Sequence, residues 1–129
     1  MAARIAFICV HNACRSQMAE GFARALGGKA VEAWSAGSKA TLAVDPDAVA
    51  AMREKGVDIG THVPKSIEDL PAGTWDYIVT MGCGDACPNV PAKNRLDWDL
   101  PDPRNRPMEE FRKVRDEIER RVQALLKQL

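Results

Sequence analysis

The feature that most constrains this chain is an uninterrupted passage near its start. The run Arg4 to Val10 is almost wholly apolar and leads through Cys9-Val10-His11-Asn12-Ala13-Cys14-Arg15-Ser16 into a helix-like stretch from Ser16 to Leu26. An apolar run without period-two alternation reads as a strand buried on both faces. A strand of that kind that feeds directly into a helix points to an α/β domain with a mostly parallel sheet.

The rest of the chain repeats the theme. Met18, Phe22, Ala25 and Leu26 are expected on the inner side of the first helix, which Gly27-Gly28 stops. Val31 to Ala36 predicts a second strand, closed by Gly37. Asp45-Pro46 predicts a helix start, with Asp45 as the cap and Pro46 as the first helical residue, running to about Lys55. Asp76 to Met81 predicts a third strand and Arg95 to Trp98 a short fourth. Phe111, Val114, Ile118, Val122, Leu125 and Leu129 step by three or four residues, the apolar stripe of a helix packed onto the sheet. In open parallel sheets ligands bind beyond the carboxyl ends of the strands. Cys9, Cys83 and Asp102 all follow predicted strands and are expected to converge there.

The 129 residues carry no internal repeat, low-complexity tract or linker, so residues 1–129 are expected to form one domain. Eighteen basic residues balance eighteen acidic ones, which argues against a nucleic-acid or membrane-surface binder. No signal-peptide core or membrane-spanning run is visible, and the expected location is cytoplasmic. In a reducing compartment four cysteines are expected to be catalytic, redox-active or metal-binding rather than structural disulfides. They fall into two groups, Cys9 with Cys14 and Cys83 with Cys87.

The first group carries the chemistry. If residues 10–16 wrap with their N–H groups inward, they form a cradle for a tetrahedral oxyanion, and the following helix adds the positive end of its dipole. Val10, His11, Asn12, Ala13, Cys14, Arg15 and Ser16 are the candidate substrate-binding residues. Arg15 offers a planar fork to two anion oxygens. The same positive surroundings favour the thiolate of Cys9, the reactive form. Ser16 is placed to donate to it, and Asn12 to hold the loop through its backbone.

The segment Cys9 to Ser16 with Gln17-Met18-Ala19-Glu20-Gly21, together with Ser35-Ala36-Gly37, Thr80-Met81-Gly82-Cys83 and Asp102-Pro103, resembles the low-molecular-weight tyrosine phosphatase superfamily. Within it, the chain resembles the arsenate reductases. The resemblance implies a four-stranded parallel sheet flanked by helices, a Rossmann-like three-layer sandwich. It also implies reduction of arsenate to arsenite by a thiol relay. Cys9 attacks arsenic, Asp102 serves as general acid, Cys83 attacks the Cys9 sulfur, and Cys87 then takes over the disulfide. No flavin, nicotinamide or metal in this chain is implied. The implied partner is thioredoxin, or a mycoredoxin or glutaredoxin working with mycothiol or glutathione, and the implied state is a monomer. Cys83 and Cys87 stand closer together than the later pair of thioredoxin-linked relatives, which keeps the low-molecular-weight thiols open as donors. His11 occupies a position where many relatives have glycine.

Other readings of the same residues are a low-molecular-weight protein tyrosine phosphatase, a structural zinc module built on the four cysteines, and a non-catalytic anion-binding domain. The flanking glycines of Gly82-Cys83-Gly84 would let that segment move, as a relay requires. Arg104-Asn105 follow Asp102-Pro103 where family phosphatases commonly carry tyrosines, which favours reduction over phosphotyrosine chemistry. Weak phosphatase side activity is still expected. Asp99 competes with Asp102 for the acid role. Cys14 reads either as a partner for a protective disulfide with Cys9 or as a packed thiol. His62 reads as structural or solvated, and Trp34, Trp75 and Trp98 as packing residues.

Overall fold

The strand between the two halves of the sheet is the first one in the chain. The computed structural model describes residues 2–82 and 91–129, and Cys83 and Cys87 lie outside the described residues. Its elements are β1 (Ala3–Cys9), α1 (Arg15–Gly27), β2 (Val31–Gly37), α2 (Pro46–Arg53), β3 (Trp75–Thr80), β4 (Ala92–Asp97) and α3 (Met108–Leu126). Short 3-10 turns occupy Gly28–Ala30 and Ile67–Asp69. The four strands form one parallel sheet in the order β2-β1-β3-β4. The chain therefore leaves β1 toward one edge and returns to its other side. This puts the carboxyl end of β1, and Cys9 with it, at the switch point where ligands settle in such sheets.

β1 alternates between two cores. Ile5, Phe7 and Cys9 pack into the larger one, beneath the helices, with Met18 and Phe22 of α1, Met52 of α2 and Phe111 and Ile118 of α3. Ala6 and Ile8 face a smaller cluster with Ala36, Trp75 and Ile78, against which Ile67 and Leu70 pack. Among the described residues the three α-helices thus share one face, and the 3-10 turn at Ile67–Asp69 contributes to the other. Ile5, Ala6, Phe7 and Ile8 are fully buried, which is why the strand shows no alternation in sequence. Each large apolar side chain buried this way contributes about 1.5–3 kcal/mol. The Phe7 and Trp98 rings meet at 5.8 Å between centroids, tying β1 to the segment that follows β4. Trp75 and Trp98 are buried and Trp34 is half-buried, in keeping with packing roles.

Local signals explain most boundaries. Asp45 caps α2 by accepting from the Asp47 N–H at 2.8 Å, with Pro46 in the first turn. The α3 stripe is buried from Phe111 through Leu125, but Leu129 lies beyond the helix end and is half exposed. On α1, Met18 and Phe22 are buried as expected, whereas Ala25 and Leu26 are exposed. Ala19 and Ala23 fill the inner face instead. β4 begins at Ala92, three residues before the predicted Arg95. It is an edge strand without a fully buried residue, so its sequence AKNRLD carries no hydrophobic period. Among the described residues no helix is long and apolar enough to cross a membrane.

Candidate active site

The site begins where β1 stops. Cys9 ends the strand, and α1 starts only six residues later at Arg15. Four carbonyls at this turn face segment 38–45. Those of Cys9, Val10, His11 and Ala13 accept from the N–H groups of Ser38, Lys39, Thr41 and Asp45 at 2.8–3.3 Å. Segment 38–45 therefore holds the carbonyl side of the loop, which leaves its N–H groups to face the opposite direction. Asn12 takes the left-handed turn at φ 53, a conformation asparagine tolerates, so His11 needs no glycine-like geometry. Gly37 backs the loop at close range: a Cβ there would lie 2.5 Å from the Val10 carbonyl oxygen.

Cys9 is 2% exposed, at the floor of a small pocket lined also by His11, Ala13, Cys14, Arg15, Asp102 and Arg104. Its sulfur lies 2.8 Å from Ser16 Oγ and 3.3 Å from the Asn12 backbone N–H. No side chain caps the start of α1 and no acidic residue of its own sits in its first turn, so the helix itself does not neutralise the positive end of its dipole. Val10, Asn12 and Ser16 do not line the pocket, but Asn12 and Ser16 support the cysteine from behind.

Arg15 is fixed from three sides. Its Nη1 donates to the Leu100 carbonyl at 3.0 Å, and its Nη2 stands 3.7 Å from Asp102 Oδ2. Gly82 closes in from the end of β3 with φ +81, and a Cβ at that position would meet Arg15 Nη1 at 2.6 Å. Asp102 is exposed at the pocket mouth, where its Oδ1 accepts from the Arg104 N–H at 3.1 Å. Asp99 is exposed and does not line the pocket. The sheet topology thus brings Cys9, Arg15 and Asp102 to one cavity.

Cys14 is buried and free, as is Cys9. Burial, followed by the carboxylates of Asp45 and Asp102, pushes its thiol far above the usual range, so it stays protonated. Among the described residues no cluster of three or more His, Cys, Asp or Glu side chains is arranged to hold a metal ion.

Behind the loop lies a polar cluster to which sequence reading did not assign Gln17 and His62. Glu20 is 1% exposed, yet its carboxylate accepts from Ser35 Oγ at 2.5 Å and pairs with Arg24 at 3.0 Å and Lys65 at 3.7 Å. Gln17, fully buried, donates to Asn12 Oδ1 at 3.0 Å and meets His62 Nδ1 through its own carbonyl at 2.9 Å. His62 is therefore neither free nor merely solvated. Burial pulls its imidazole below the ordinary histidine range, against the nearby Glu20 carboxylate and with Arg24 and Lys65 adding to the effect. The only available signal was a glutamine beside Ser16 in a helix start, and sequence alone does not tell a buried glutamine from a solvated one.

A pocket floored by a thiol, walled by inward N–H groups and a guanidinium, and faced by a carboxyl group suits nucleophilic attack on a tetrahedral oxyanion. The low molecular weight phosphotyrosine protein phosphatase model matches residues 4–129, and the chain belongs to that family. Within it, the chain is 37% identical over 126 residues to the glutaredoxin arsenate reductase of Synechocystis, covering 95% of each sequence. A solved arsenate reductase in a phosphate-binding state superposes with a TM-score of 0.88 at 35% identity, covering 98% of both chains. The thioredoxin-dependent arsenate reductase of Corynebacterium glutamicum gives a TM-score of 0.80 at 36% identity, with 98% of this chain and 61% of that one covered.

Proposed function

We propose that this protein reduces arsenate to arsenite by thiol chemistry, as a single-domain cytoplasmic monomer. The observation that carries the oxyanion part of the reading is the placement of Cys9 and Arg15 in one pocket with Asp102 at its mouth. Relatives named as arsenate reductases, similar over nearly the whole chain, support the choice of arsenate.

Arsenate enters with its oxygens on Arg15 and on the loop N–H groups. The Cys9 thiolate attacks arsenic, and Asp102, in its protonated form, delivers the proton that lets one arsenate oxygen depart as water. The product is a Cys9–arsenic(V) adduct. The Cys83 thiolate then attacks the Cys9 sulfur. A sulfur–sulfur bond forms, the sulfur–arsenic bond breaks, and its electron pair stays on arsenic, which leaves as arsenite. Cys87 attacks Cys83 in turn, which frees Cys9 and leaves a Cys83–Cys87 disulfide. An external dithiol reduces that disulfide by exchange. The roles of Cys83 and Cys87 rest on the family resemblance, and both residues lie outside the described structure.

Thioredoxin is the proposed donor, because a structurally similar enzyme is thioredoxin-dependent. The glutaredoxin-named relative supports a glutaredoxin as the second candidate. The same pocket accepts phosphate geometry, so slow hydrolysis of an aryl phosphate is proposed as a side activity. Arg104 at the pocket rim in place of an aromatic residue favours a small oxyanion over a phosphotyrosine ring.

The test is arsenate turnover by the full chain with thioredoxin, glutaredoxin–glutathione and mycoredoxin–mycothiol systems side by side, with trapped disulfides mapped by mass. Arsenate-dependent oxidation is expected to exceed aryl-phosphate hydrolysis by a wide margin. It should be lost in Cys9→Ser and Cys83→Ser. If Cys83→Ser and Cys87→Ser keep full turnover with every donor, the intramolecular relay is wrong.

A further inference from the structure

Two arginines line the Cys9 pocket, and they differ in what already holds them. Arg15 is buried, with Nη1 donating to the Leu100 carbonyl and Nη2 beside Asp102. Arg104 is exposed, and among the described residues its guanidinium has no hydrogen-bond or ion-pair partner. The backbone beneath it is fixed. Its N–H donates to Asp102 Oδ1 at 3.1 Å, and the Arg106 N–H closes the turn onto the Pro103 carbonyl at 2.9 Å. Pro103 is buried, and Asn105 takes the left-handed conformation at φ 65, which asparagine tolerates. The turn thus seats the base of a long, unpartnered cationic side chain beside the carboxyl group assigned to proton delivery.

The charges that meet in this pocket leave room for a second cation. Arsenate and phosphate carry roughly one to two negative charges near neutral pH. The Cys9 thiolate adds another beside the bound ion. Asp102 has the same sign until it takes a proton, and Asp45 bears with it on Cys14 in the same loop. Against these the interior offers one guanidinium, that of Arg15, together with the loop N–H groups and the partial charge of the helix start. His11, half-buried, completes the titratable lining. A free guanidinium at the mouth supplies a second planar fork for the oxygens turned away from Arg15.

We infer that Arg104 is a substrate-binding residue. Its guanidinium folds over the mouth, pairs with the outward oxygens of the bound oxyanion and sets the preference of the site for small, multiply charged anions. It holds the ion equally before and during attack by Cys9, so it acts on binding rather than on the chemical step. The inference rests on the reading of this pocket as an oxyanion site and adds a second cationic contact to it.

The experiment measures inorganic phosphate binding by calorimetry, and arsenate kinetics with the thioredoxin system, on the full chain. It compares the native protein with Arg104→Ala, Arg104→Lys and Arg106→Ala. Arg106 is exposed in the same turn and does not line the pocket, so it controls for the loss of charge alone. Arg104→Ala is expected to weaken phosphate binding and raise the arsenate KM by about tenfold, the low end for a hydrogen bond to a charged group. Its kcat should fall by less than about threefold. The deficit should shrink between about 0.01 M and about 0.15 M salt, as the Debye length drops from roughly 30 to 8 Å. Arg104→Lys should recover part of the affinity, because the charge stays and the fork is lost. Arg106→Ala should bind phosphate within about twofold of the native protein. Native phosphate affinity in Arg104→Ala overturns the inference. So does an equal loss in Arg106→Ala, which would mean a diffuse field, or a fall in kcat with KM unchanged, which would mean the turn only places Asp102. Absence of arsenate turnover in the native protein would overturn the proposed function instead, and the phosphate titrations would still decide the role of Arg104.

Discussion

Arg15 Nη2 and Asp102 Oδ2 face each other across the pocket mouth at 3.7 Å, a charge contact too long for a direct hydrogen bond. The guanidinium is buried and anchored on the Leu100 carbonyl, whereas the carboxyl group is exposed. An oxyanion arriving at Arg15 competes with Asp102 for the same face of the guanidinium. The pair therefore sets both affinity and proton delivery, and substitutions separate the two. Asp102→Asn is expected to cut arsenate turnover by about 100-fold, the usual scale for loss of a general acid. It should leave inorganic phosphate binding equal or tighter, as measured by calorimetry. Arg15→Lys should weaken phosphate binding at least about tenfold, because an ammonium cannot offer the planar fork. Weaker phosphate binding in Asp102→Asn would count against this competition.

Gly82 tests how closely the end of β3 must approach Arg15. Its φ of +81 disfavours any side chain, and a Cβ would intrude on Arg15 Nη1. Gly82→Ala is expected to cost about 1–3 kcal/mol of stability from the backbone conformation. It should also weaken phosphate binding, because the guanidinium must shift. Thermal melting and phosphate titration on the same variant check both; unchanged phosphate affinity would show that Arg15 has another place to go.

Cys14 makes a sharp contrast with Cys9, although both belong to one loop. Burial and two nearby carboxylates keep it a thiol throughout the range in which proteins are stable. Iodoacetamide is expected to leave Cys14 unlabelled in the folded protein up to pH 9, while denaturant exposes it. Cys14→Ala should keep arsenate turnover within about threefold of the native rate, as suits a packed residue. A disulfide between Cys9 and Cys14 in oxidised protein, found by mass mapping, would restore the protective role.

Glu54 gives a stability prediction with a definite pH window. At the end of α2 its carboxylate takes Arg112 through Nε and Nη2 and Arg115 through Nη1 at 2.6 Å, linking α2 to α3. The Arg112 bonds first, then those of Arg115, pull its carboxyl group from 4.5 down to about 2. A lowered carboxyl group stabilises the fold fully above its unfolded value and loses that contribution as pH falls through its folded one. Glu54→Gln should therefore be less stable than the native chain from pH 7 to about 5 by a constant margin. The margin should shrink between about pH 4.5 and 2. Urea unfolding across that range measures it, and because the carboxylate is exposed the margin should be small. A margin independent of pH down to 2.5 would show that the link acts through packing rather than charge.

Much of the fold is legible in the sequence where burial is complete or a cap is local. Arg4 to Val10 reads as a buried strand because both of its faces are covered. Asp45-Pro46 reads as a helix start because the cap acts within two residues. The α3 stripe reads as one face because five of its positions meet the same core. β4 is harder, since an edge strand with half-buried and exposed residues leaves no periodic trace. Ala25, Leu26 and Leu129 follow the pattern of their helices yet lie at the helix ends and are exposed.

For the site, the sequence by itself fixed what local chain geometry can fix. A strand, a short loop and a helix start keep Cys9, Arg15 and Ser16 close along the chain, and segment 38–45 then holds the loop between them. Tertiary structure decided everything that depends on distant segments meeting. Asp102 reaches Arg15, and Leu100 anchors it, only because β3 and β4 add to the sheet beside β1. His62 reaches Gln17 across 45 residues only because the loop beyond α2 folds back over α1. Asn12 Oδ1 is met in the same way by the backbone N–H of Lys65, a group present at almost every residue and given meaning only by where the fold puts it.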